Sequence, residues 1–251
     1  MRKIKSISEY FFSVYKILLF KLKITYFKSS FYDKKISNNL PSKFDYKPSF
    51  HIINSLTLFN KKKIKIENFS LNSLWKLSTK KKVEFQNLHN FLWLTSLDIK
   101  TNKLSTQTII ENWIDNNYSF NEKTWKLDII SKRLIAWISS SNLTIDESSL
   151  NYKEKLLLSI TKQINHLAKN IDDLEDDENK LICCSSLFLI GLTFKNQTKH
   201  FKLGLSILKK IIKNNFDDTR FPKSRNPEEM LICLKYLILI KEWIKESQNQ
   251  I

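Results

Sequence analysis

Trp125, Asp128, Arg133 and Trp137 place two indoles, an acid and one of the chain's four arginines within thirteen residues. An arginine fork can hold a uronate carboxylate through two parallel hydrogen bonds. Indole faces can stack on the C–H faces of pyranose rings, so Trp93, Trp125 and Trp137 are candidate sugar platforms and Arg133 a candidate carboxylate partner. Core packing competes for each tryptophan, and an internal salt bridge with Asp128 competes for Arg133. His89 lies beside Phe91 and Trp93 and is a weak catalytic candidate, weighed against a hydrogen-bonded histidine between helices. A second signature runs from Phe221 to Glu229. Within it Ser224, Arg225 and Asn226 are substrate-binding candidates. Asn226, Pro227 and Glu229 also read as a helix start, with proline at the first helical position. Arg225 is the member that capping does not require.

Other chemistries find less support. His51, His89, His166 and His200 are scattered, and Cys183, Cys184 and Cys233 have no metal-ligand spacing. The cysteines read as small core residues. The acidic run Asp172–Glu178 lacks the central glycine of a calcium loop and reads as a solvated connection. Neither metal nor cofactor is expected.

These side chains need a scaffold. The chain has 251 residues, 42% hydrophobic content and a net charge of +17. The charge is uneven: residues 1–82 hold 19 Lys or Arg against 4 Asp or Glu, and residues 83–251 hold 23 against 21. Tyr10–Phe27 is apolar but interrupted by Lys16, Lys21 and Lys23, which predicts an amphipathic helix rather than a membrane span or a cleavable signal. That helix is expected to pack on its own domain, with peripheral membrane contact through residues 1–30 as the alternative. Residues 29–49 read as an extended connector. Ile52–Phe59 and Lys63–Glu67 read as a small β-hairpin. Its lysines lack interleaved aromatics, so nucleic-acid binding is disfavoured.

From Glu84 the pattern turns helical, over 84–97, 105–117, 127–140, 151–171, 179–194, 197–214 and 227–246. Asn151 with Glu154 reads as the cap of the fourth of these. The last is apolar almost all round, so it should be covered on more than one side. The expected fold is mainly α, an incomplete α/α toroid of antiparallel helix pairs with a small N-terminal β-hairpin. Its regions are a basic N-terminal helix and connector (1–49), the hairpin (50–82) and the helical domain (83–251).

The ordered set of Trp75, Asn87–Leu94, Trp113, Trp125, Asp128, Arg133, Trp137 and Ser224–Pro227 resembles the heparinase II/III family, from about residue 50 to the end. The resemblance implies an α/α toroid, an acidic polysaccharide as substrate and β-elimination as the reaction. In that family a β-sandwich follows the toroid. This chain ends at Gln250 and Ile251, so it is expected to be a helical half that is not active alone. Ala136 stands where many relatives carry Asn, and Asp217–Pro222 followed by Asn226–Glu228 has neither the His nor the Tyr that relatives often carry there. The alternative is a noncatalytic helical module that binds an anionic membrane or partner through its basic N-terminal third. The compartment is expected to be cell envelope or cytoplasm.

Overall fold

The computed structural model describes residues 2–38, 40–41, 43–49, 52–53, 75, 82–97 and 102–249, with side chains omitted at 2–9, 195 and 249. The protein is mainly helical, and no strand occurs among the described residues. Apart from Ile52 and Ile53, which are helical, the anticipated hairpin lies outside them. The elements are α1 (Arg2–Phe27), α2 (Ser30–Ser37), α3 (Lys82–His89), α4 (Lys103–Asn117), α5 (Leu127–Ser139), α6 (Ser141–Thr144), α7 (Leu150–Asn170), α8 (Asp177–Thr193), α9 (Thr198–Asn215) and α10 (Pro227–Asn249).

Local chemistry sets several boundaries. Asn102, Ser149 and Asp176 cap α4, α7 and α8 by accepting from the N–H of Ser105, Tyr152 and Glu178. Each satisfies a backbone donor that the first turn leaves free. Ser149 therefore replaces the anticipated Asn151 cap. The single helix expected over 84–97 is two elements. Phe91 sits at φ 58, in the left-handed region, which ends α3 and starts a 3-10 turn at Leu92–Ser96. The expected extended connector is also corrected, because Ser29 caps α2 and the helix buries Tyr32 and Ile36.

Two helices form the interior. α8 packs against α5, α9 and α10, and α5 also meets α3 and α7. Nearly every residue from Ile129 to Ser139 and from Leu181 to Ile190 is buried. The chain's two glycines both serve the α8–α9 crossing. A Cβ at Gly191 would lie 2.6 Å from the backbone nitrogen of Phe201, and one at Gly204 would lie 3.3 Å from the Cys184 carbonyl. Cys183 and Cys184 are buried free thiols and Cys233 is half-buried. Burial pushes the Cys183 and Cys184 thiols up to about 12, so neither is a nucleophile at neutral pH.

α10 departs from expectation. It buries Tyr236, Leu239, Ile240 and Trp243 but leaves Leu231, Leu234 and Ile238 exposed, so its apolar circumference is covered on one side. α2 docks on α7 through a buried ion pair of Lys162 Nζ with Asp33 Oδ1 at 2.7 Å. The Tyr118 hydroxyl donates to Asp33 Oδ2 at 2.7 Å, and Lys162 stands 3.6 Å above the Tyr118 ring. Phe27, Tyr32 and Ile36 form a small satellite core there, separate from the main one.

Candidate functional site

Arg133 projects from the middle of α5 and has no exposed surface. Its Nε donates to Gln163 Oε1 at 2.7 Å. One terminal nitrogen donates to the His89 carbonyl at 2.8 Å and to the Thr124 carbonyl at 3.2 Å, and the other also reaches Thr124 at 3.2 Å. The guanidinium carbon lies 4.2 Å from the Trp113 ring centroid and 5.9 Å from that of Trp137. Carbonyl dipoles and ring faces thus compensate the cation, and no carboxylate pairs with it among the described residues. The anticipated salt bridge with Asp128 is absent; Asp128 faces Lys132 instead, at 4.0 Å. Burial lowers the Arg133 pKa, yet a guanidinium keeps its proton at neutral pH.

His89 belongs to the same cluster. Trp113 Nε1 donates to His89 Nδ1 at 3.0 Å, which fixes the imidazole proton on Nε2. The ring lies 4.3 Å from Phe85 and 5.8 Å from Trp75. Burial, and then the Arg133 charge, lower its pKa to about 4. At neutral pH the imidazole is uncharged, and at 1% exposed it presents no surface to a sugar.

The three candidate platforms are core members. Trp137 is fully buried, with its ring 5.5 Å from Trp113 and 5.3 Å from Phe91. Trp125 is 5% exposed and donates to the Asn117 carbonyl at 3.2 Å. Trp93 is half-buried, donates to the Leu88 carbonyl at 3.2 Å and tilts against Phe91. Trp125 and Trp137 offer no open face to a pyranose. The structure brings Arg133, Trp137, His89 and Trp93 into one aromatic cluster, but as the hub that joins α3, α4, α5 and α7. Gln163 and the Thr124 carbonyl complete it. Neither was named from the sequence, where a glutamine within α7 and a backbone oxygen carry no signal.

Ser224, Arg225 and Asn226 form an exposed turn. Ser224 Oγ accepts from the Asn226 N–H, and Asn226 Oδ1 accepts from the Glu228 N–H at the start of α10. Arg225 has φ 55, pairs with Asp217 at 2.5 Å and lies 5.3 Å from the Phe221 ring. Bonds from Thr219, then Phe221, then the Arg225 charge lower the Asp217 carboxyl pKa. All these partners fall between Asp217 and Glu229, so the turn stabilises itself and makes no recorded contact with the Arg133 hub.

α1 has the opposite character. Tyr10, Phe11, Phe12, Tyr15, Ile17, Leu18, Leu19, Phe20 and Leu22 are between 46% and 67% exposed. Lys16 and Lys21 are exposed among them, and Glu9 is the one acid before Asp33. Among its described side chains, the contacts with the body come from the last two turns. Phe20 meets Phe120 edge-on at 6.4 Å, Phe27 meets His166 at 5.6 Å, and Lys23 Nζ donates to Asn170 Oδ1 at 2.6 Å. The packing expected for α1 is therefore confined to one end. Among the described residues no helix is long and apolar enough to cross a membrane. No family model matches the chain, and no protein of curated function and no solved structure matches it either.

Proposed function

We propose that this chain is a noncatalytic helical module that attaches to anionic membrane surfaces through α1. The supporting observation is the run of nine large apolar side chains from Tyr10 to Leu22, held in water by a helix that also carries lysines and almost no acid. A surface of that kind is costly in water and gains both apolar burial and Coulomb attraction at an anionic bilayer. The lysine stems extend along the helix while their ammonium groups stay at the headgroups.

A second reading, the helical half of a heparinase-like lyase acting on acidic polysaccharide, draws support from packing. α8 packs against both α5 and α10. α9 lies against α8, as an outer helix of an α/α toroid would. Arg133, His89 and Trp137 are buried and offer no surface to a sugar, so the membrane reading is preferred.

The test is sedimentation of the full chain with phosphatidylcholine vesicles, with and without about 30% phosphatidylserine. Binding is expected to require the anionic lipid. The triple variant Lys16→Glu, Lys21→Glu, Lys28→Glu should lose at least about tenfold in affinity at low salt. Equal sedimentation with neutral vesicles, or an unaffected triple variant, overturns the proposal.

A further inference from the structure

We infer that α1 docks on the bilayer by one particular face, centred on Phe11, Tyr15, Leu18 and Leu22, and lies in the headgroup plane with the helical domain on its water side. The inference rests on the proposed membrane attachment and assigns the residues that carry it. Successive helical residues are about 100° apart. Phe11, Tyr15, Leu18 and Leu22 then fall within an arc of about 60°, with Phe12 and Leu19 beside them. Each of these six side chains is 46–67% exposed.

The charges respect that arc. From Val14 round to Phe12, about 160° of the circumference between residues 10 and 28 holds no charged residue. Lys21 and Lys28 border it on one side and Lys16 on the other, while Lys23 beside Lys16 is held by Asn170. An interfacial helix needs this arrangement, with apolar side chains entering the acyl boundary and lysines meeting phosphates on both flanks. A spanning helix would have no use for it.

Most body contacts fall on the opposite side. Phe20, Ile24 and Phe27 lie about 140–160° from the centre of the free arc and Lys23 about 100° from it. They include the residues that touch Phe120, Asn170 and His166. Tyr26, beyond Leu22 and about 40° from that centre, is the exception and packs on the satellite core. From Phe11 to Leu22 the uncharged face is therefore left free. Membrane docking requires no rupture of Lys23–Asn170 or of the satellite core.

The experiment compares three full-length single variants in vesicle sedimentation with the same phosphatidylserine mixture. Leu18→Asp and Leu22→Asp place a charge inside the arc and should each weaken binding at least about tenfold. Ile17→Asp places the same charge at an equally exposed site outside it and should weaken binding less than about threefold. Circular dichroism that matches the parent confirms that each variant is folded. In parallel, Tyr15→Trp should gain fluorescence quenching by brominated lipid, while the six native tryptophans stay unquenched in the parent. Equal losses at all three positions, with parental binding intact, overturn the face assignment and leave attachment standing. No parental binding overturns both. Self-association of the parent without vesicles, abolished by Leu18→Asp, would make a second copy the occupant and overturn the assignment to lipid.

Discussion

Arg133→Met is expected to destabilise the protein by about 3–5 kcal/mol, because it leaves buried acceptors without their donor. Methionine approximates the length and apolar stem of arginine, so the loss reports on polar groups rather than on a cavity. Gln163 Oε1 and the carbonyls of His89 and Thr124 each lose a bond of 2.7–3.2 Å. Trp113 and Trp137 lose the cation over their faces. Arg133→Lys should rescue little, since one ammonium cannot reach three acceptors spread around a planar fork. Urea unfolding midpoints measure both variants. A change under about 1 kcal/mol for Arg133→Met would show that the hub does not organise the core.

Acidification should remove about 5 kcal/mol of stability between pH 6.5 and 4 through His89 and His166 together. Burial lowers both to about 4 in the folded protein; the second contribution is Arg133 for His89 and Lys23 for His166. The unfolded imidazoles titrate near 6.5. Between these values the unfolded chain binds more protons than the folded one, so stability rises with pH through the window. The contribution is complete above about pH 6.5 and is lost as pH falls toward 4. Burial lowers His200 to about 4 as well, which acts in the same direction. Denaturant titrations across this range should show the slope, and His166→Phe should flatten about half of the part due to the pair. A variant with an unchanged slope would assign the acid sensitivity to carboxylates instead.

The helical class and most helix positions were legible because apolar spacing and capping residues act locally. α4, α5, α8, α9 and α10 begin within about two residues of their anticipated starts. The break after His89 was hidden because its cause, a left-handed Phe91, is imposed by tertiary packing of a residue type that rarely adopts it. α2 was missed because its apolar residues are few, and its helix depends on Tyr32, Ile36 and Asp33 meeting α7. Core packing for the tryptophans and a hydrogen-bonded His89 between helices were legible as readings of single residues, but not that Arg133, Trp137 and His89 meet in one cluster. Residue type and spacing are the same whether such a cluster opens onto a groove or closes on itself. The lysines and apolar residues of α1 were legible as amphipathic. Which side remains free depends on where Phe120, His166 and Asn170 stand, more than 90 residues away in sequence.

Hydrogen exchange of the intact chain, with and without phosphatidylserine-containing vesicles, tests the attachment most directly. Amides of Tyr10–Leu22 should gain protection when the vesicles are present, while those of α5 and α8 exchange at the same rate in both samples. Unchanged exchange across α1, or protection spread instead over α9 and α10, would contradict the account.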